Sequence, residues 1–179
     1  MLPTLQKKCS QFLQESQGFP LLKNLPVAGE GFRKVKVRKR KNLKNEIVDV
    51  FNDTFNGHPE LMQRSVFAQS MSVFQPSIEL DLEPFYIFPI DGYKFLYAEG
   101  VGDTTQTYKT TLDTLIENYG AKGIRTFQEV LKYQYSFENL VEGLASSTEI
   151  IIYDIPYYYA IRYSLVENYE KFIDPKVNS

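Results

Sequence analysis

The stretch SIELDLE, residues 77–83, sets Glu79, Asp81 and Glu83 at alternate positions. Alternate carboxylates on one strand are a pattern that can hold a divalent cation. Asp91 and Lys94 follow, so a metal-assisted reaction built around Asp81, Asp91 and Lys94 is the first chemistry to weigh. DGYK, however, departs from the acid-any-lysine spacing of a metal nuclease strand, and exposed strand positions attract acids for solubility alone. No metal and no other cofactor is therefore expected.

Nucleophilic chemistry finds less support. His58 is the single histidine, so a serine–histidine–acid triad has to use it. Yet it lies in NGHPEL, a turn feeding a helix, and no GxSxG pattern occurs. It reads as a helix-capping or surface residue. The phosphate-cradling loops GxxxxGKS/T and GxGxxG are missing. EGVGD, residues 99–103, precedes a helical pattern where an anion could bind, but Asp103 is suited to occupy that positive end itself. With Cys9 the single cysteine, no internal disulfide and no cysteine-based zinc or iron–sulfur site can form within one chain.

The tyrosines Tyr153, Tyr157, Tyr158, Tyr159 and Tyr163 offer stacking surfaces beside Arg162, which could hold an anion. Strand alternation sends Tyr157, Tyr159 and Tyr163 to one face and Tyr158 and Arg162 to the other, so they do not line one pocket. In a chain without tryptophan such rings supply the bulk of the core. A mono-ADP-ribosyltransferase site using Arg38, the SST at 146–148 and a late acid lacks the paired E/QxE acids that such enzymes carry. The chain is expected to be non-enzymatic.

The strongest signal is charge. Residues 1–44 hold eleven Lys/Arg against two acids, a balance of +9, while residues 45–179 hold nine bases against twenty acids, a balance of −11. The excess concentrates in FRKVKVRKRKNLK, residues 32–44. As a strand it aligns Lys34, Lys36, Arg38 and Arg40 about 7 Å apart, which could follow a phosphate backbone with steep salt dependence. Alternatively SIELDLE pairs alongside, placing Ile78, Leu80 and Leu82 with Val35 and Val37 on the core side and acids opposite bases outside. A third reading puts the acidic segment on a neighbouring subunit. The candidate contact residues, for an acidic partner or for phosphate, are Lys34, Lys36, Arg38, Lys39, Arg40, Lys41 and Lys44. Aromatic interleaving of the kind used by single-strand binders is absent from the run, which only Phe32 flanks.

These residues need elements to carry them. At 179 residues with 43% hydrophobic and 15% aromatic content, the chain can build a real core. Its apolar runs are too short to span a bilayer and its start lacks a signal-peptide pattern, so no membrane association or export is expected. The pattern predicts a helix over 3–17, then an extended arm through Pro20, Pro26, Gly29 and Gly31. It further predicts a helix over 46–56 capped by Asn45, a second from Pro59 through LMQRSVFAQ, and a strand at SIELDLE. FYIFPIDGYKFLY reads as a hairpin turning at Asp91-Gly92, with Pro89 marking an edge strand or bulge. Beyond it come a helix capped by Asp103, another over GIRTFQEVLKYQY, and a shorter one capped by Ser136 and running through Leu144. Two strands separated at Pro156 then follow, and Ser164 with Glu167 caps a last helix. Without regular strand–helix alternation the expected fold is α+β: a mainly antiparallel sheet packed with several amphipathic helices, plus the N-terminal helix and arm. The division is residues 1–31 for helix and arm, and 32–175 for a single α+β domain.

The segments EPFYIFPIDGYKFLYAEG, DTTQTYKTTLDTL and EIIIYDIPYYYAIRY together resemble a small protein of large contractile-tailed bacteriophages, over roughly residues 32–172. That resemblance brings no active site. It implies a viral protein located in the virion or the host cytoplasm, either a virion or assembly component or a factor acting on the host. The expected function is an interaction protein whose basic N-terminal segment contacts an acidic partner surface, its partners including other copies of itself. The alternative is a nucleic-acid-binding or host-takeover protein using the same residues on phosphates.

Overall fold

A computed structural model of the chain describes residues 1–41, 46–55 and 59–173. The fold is α+β, with seven strands in one sheet whose pairings are all antiparallel. The strands are β1 (Leu21–Pro26), β2 (Phe32–Lys36), β3 (Val66–Ser70), β4 (Leu82–Pro89), β5 (Lys94–Tyr97), β6 (Glu149–Tyr153) and β7 (Tyr157–Arg162). They lie in the order β2-β7-β4-β1-β3-β6-β5, so β2 and β5 are the edges.

Four corrections follow from that order. The stretch expected as an arm contains β1, an interior strand between β4 and β3. Leu21 and Leu22 are fully buried there, and each ladder satisfies the backbone groups that an arm would leave to water. SIELDLE is not a strand partner of the basic run: only Leu82 and Glu83 enter a strand, and Ile78 and Leu80 are 98% and 101% exposed. The basic strand β2 pairs instead with β7, Phe32 opposite Ile161 and Lys36 opposite Tyr157. Finally, Asp91-Gly92 turns the chain without making a hairpin, because β4 pairs with β1 and β7 while β5 pairs with β6. Pro89 sits at the last position of interior β4, where the ladder ends.

VFAQS, expected in a helix, is β3; the turn before it is a short 3-10 segment, Met62–Arg64. Its burial alternates, with Val66, Ala68 and Ser70 inside, and a period of two fits a sheet. The N-terminal helix is two, α1 (Leu2–Lys8) and α2 (Ser10–Glu15), broken at Cys9 with φ −131°. The cap expected at Asn45 lies outside the described residues, before α3 (Glu46–Thr54). Asp103 does cap α4 (Thr104–Tyr119), accepting from the Gln106 amide at 2.8 Å. After α5 (Ala121–Gln134), Ser136 makes a local turn with Glu138 instead of capping α6 (Leu140–Ala145). Asn168, not Ser164, accepts from the Lys171 amide in α7 (Tyr169–Ile173).

Two cores hold the layers together. Leu5 and Phe12 from the first helices, Leu140 and Leu144 from α6 and Tyr169 from α7 pack with Leu22, Phe88 and Ile161. Val48 and Phe51 of α3, Leu112 of α4 and Phe127 and Leu131 of α5 pack on Leu96 and Ile151. Full burial of such side chains contributes about 1.5–3 kcal/mol each.

Candidate functional site

β2 pairs with β7 along one side and with no strand on the other among the described residues. Its bases divide into those the fold uses and those it leaves free. Arg33 lies with its guanidinium 4.5 Å from the centre of the Phe85 ring and donates to the carbonyls of Pro26, at 2.7 Å, and Ala28. It therefore holds the loop that leads into its own strand. Lys34 stands 3.6 Å over the Tyr157 ring. Arg40 lies 4.2 Å over Phe67, donates to Met62 O at 2.9 Å, and has its pKa lowered by burial. Lys39 pairs with Glu60, which also accepts from Arg64 Nε at 2.5 Å. Those two hydrogen bonds hold the Glu60 carboxyl below its usual range.

Lys36, Arg38 and Lys41 are exposed and make no ion pair among the described residues. Lys44 lies outside the described residues. Next to the free bases a groove of about 650 Å³ runs between β2 and the end of β1. Leu25, Pro26, Ala28 and Val35 supply its apolar lining, and Arg33, Lys34, Lys36 and Arg38 its positive charge. Leu25 and Pro26 belong to the stretch read from sequence as an arm. Their apolar character was the available signal, but their place in one groove with residues of β2 required knowing that β1 is interior.

The acidic segment is hydrogen-bonded to β1 and the same loop. Asn24 donates to Gln75 O at 2.9 Å and accepts from the Ser77 amide at 3.2 Å, while the Val27 amide donates to Asp81 O at 2.8 Å. The Leu82 amide closes the turn on Glu79 O at 3.2 Å. Pinned at both ends, the turn projects Ile78 and Leu80 fully into solvent, alternating with Glu79 and Asp81.

The residues weighed for catalysis are not brought together. Asp91 accepts from Ser10 Oγ at 3.0 Å and the Gln11 amide at 2.8 Å, so it caps α2 from a distance. Lys94 pairs with Asp154 at 2.8 Å. Asp81 stands at the opposite end of β4, about 26 Å of strand away from Asp91. Arg162 pairs with Glu83 at 3.3 Å and donates to Val27 O at 3.1 Å. The N-terminus of α4 is occupied by Asp103 and by Glu149, which accepts from the Thr104 amide at 3.1 Å. Burial raises the Glu149 carboxyl pKa. Tyr158 is buried, Tyr159 stacks on Phe32 and Tyr163 on Tyr86. Ser146 and Thr148 serve backbone contacts: Ser146 O accepts from Ser70 Oγ at 2.6 Å, and Thr148 Oγ1 donates to Ala98 O at 2.6 Å. His58 lies outside the described residues. Among the described residues no group of three or more His, Cys, Asp and Glu is placed to hold a metal ion. No helix among them is long and apolar enough to cross a membrane.

Compared with known protein families, curated proteins and solved structures, the chain matches none.

Proposed function

We propose that the chain is a non-enzymatic interaction protein that takes an acidic, partly apolar protein segment into the groove beside β2. The observation that carries this is the adjacency of free Lys36 and Arg38 to an apolar lining of Leu25, Pro26, Ala28 and Val35. An apolar lining rewards side chains and a basic rim rewards carboxylates; a phosphate backbone uses only the second. Much of the basic run is also engaged internally, with Arg33 on backbone carbonyls, Arg40 on Phe67 and Lys39 on Glu60. A role as a virion or assembly component, in the virion or the host cytoplasm, accords with the phage resemblance of residues 32–172.

Lys36 ends the edge strand β2 and Arg38 follows two residues on, both exposed, which favours phosphate as the second reading. A labelled short peptide alternating leucine with aspartate and glutamate, set against a mixed-sequence duplex, separates the two by fluorescence anisotropy. The peptide should bind, keep part of its affinity between about 50 and about 500 mM salt, and lose binding in Lys36→Ala/Arg38→Ala/Lys41→Ala. Binding of the duplex alone, released steeply by salt, would replace this reading with the phosphate one.

A further inference from the structure

We infer that the partner in the groove is a second copy of this chain, whose turn at Ile78–Asp81 inserts there to form a two-fold dimer. The inference rests on the protein-binding reading above and names its partner. Ile78 and Leu80 are 98% and 101% exposed. Two adjacent aliphatic side chains held wholly in water at a pinned turn have nothing to pack on within their own chain. The groove of about 650 Å³ has the matching character: Leu25, Pro26 and Val35 for the aliphatic pair, Lys36 and Arg38 for Glu79 and Asp81.

The turn does not fill its own groove. Its two ends are tied to β1 and the following loop through Asn24 and Val27, with only a few residues between the ties. Held there, Ile78 and Leu80 stand in solvent although Pro26 and Ala28 of the groove flank the tie at Val27. The groove is thereby left for another molecule. Turn and groove flank one loop, since Val27 bonds Asp81 while its neighbours Pro26 and Ala28 line the groove. A single two-fold axis near that loop can therefore satisfy both contacts at once, which closes the assembly at two copies and avoids an open chain.

The test is molar mass by light scattering together with charge reversal. Wild type should be a dimer at micromolar concentration. Glu79→Lys/Asp81→Lys and Lys36→Glu/Arg38→Glu should each be folded monomers by circular dichroism. Within each variant like charges meet, but in an equimolar mixture the reversed turn of one meets the reversed groove of the other while the unaltered turn meets the unaltered groove, so the mixture should recover a dimer through two complementary contacts. The chain carrying all four changes should dimerise again, because both contacts then have complementary signs. Ile78→Ser/Leu80→Ser should abolish dimers without changing the charge.

A monomeric wild type that still binds the leucine-acid peptide overturns the second-copy inference and leaves the protein-binding reading standing. A dimer indifferent to all of these changes also overturns it, since its interface must then lie elsewhere. If wild type is monomeric and the peptide does not bind, both fall.

Discussion

The Lys34 ammonium lies 3.6 Å from the centre of the Tyr157 ring, one diagonal step across the β2–β7 pair, where Lys34 itself faces Tyr159. A cation over an aromatic face at an exposed site contributes about 0.5–1 kcal/mol. A double-mutant cycle of Lys34→Met and Tyr157→Leu, read by urea unfolding, should return a coupling of that size. Coupling near zero would place Lys34 among the free bases, with Lys36 and Arg38.

Lys23 predicts an alkaline gain in stability. Its ammonium donates to Phe67 O at 2.6 Å, and burial, reinforced by Arg40, lowers its pKa from 10.5 to about 8. Between those values the unfolded chain retains a proton that the folded one has released, so stability rises with pH, by up to about 3 kcal/mol. Burial raises the Cys9 thiol pKa to about 12 and the phenol pKa values of Tyr93, Tyr135 and Tyr169. Above about pH 9, first at Cys9 and then at these phenols, the folded chain therefore holds protons that the unfolded one loses, which offsets the gain and then reverses it. Urea midpoints across pH 7–11 should show the rise in wild type and not in Lys23→Met, with the fall kept in both.

Cys9 should be inert while the protein is folded. It has no exposed surface, its Sγ sits 3.5 Å from Phe88 O, and burial followed by the nearby Asp91 charge pushes its thiol pKa up to about 12. Since the thiolate is the reactive form, a disulfide reagent at pH 8 should titrate one thiol per chain in denaturant and almost none without it. Fast labelling of the native protein would mean that α1 and α2 detach readily.

Two helix glycines should resist replacement for different reasons. A methyl on Gly123 would meet Leu115 O at 2.0 Å, the backbone of α4 itself; on Gly143 it would meet the Tyr97 ring at 2.8 Å and Ile150 Cδ1 at 2.9 Å. Alanine favours a helix by about 1 kcal/mol over glycine, yet each variant should lose about 1–3 kcal/mol net. Gly123→Ala should lose more, because a backbone carbonyl yields less than side chains do. Thermal unfolding of the two variants checks both the sign and the order.

What the sequence disclosed was local. The α+β class, Asp103 as a cap, the helices over 104–119 and 121–134, and the two strands separated at Pro156 all follow from patterns within a few residues of each other. The failures were matters of pairing. Nothing within SIELDLE distinguishes an inward Ile78 from one standing in solvent; Asn24 and Val27, which pin the turn, are about fifty residues away in the chain. Asp91-Gly92 has the chemistry of a hairpin turn, but the strands on either side find better partners in β1, β7 and β6. In the basic run the spacing was legible. The division into engaged and free charges was not, because Phe85, Tyr157 and Phe67 reach the bases from three other strands.

The interior position of β1 also orders events during synthesis. Leu21–Pro26 leaves the ribosome before β3 and β4, its neighbours on either side, and β4 cannot be covered on its far edge until α4, α5 and α6 have been made and β7 follows. Through that interval a short apolar strand has two unpaired edges, the state in which nascent chains associate wrongly. The helices can form early, but the sheet closes late and slowly, as expected when its pairings join distant parts of the chain.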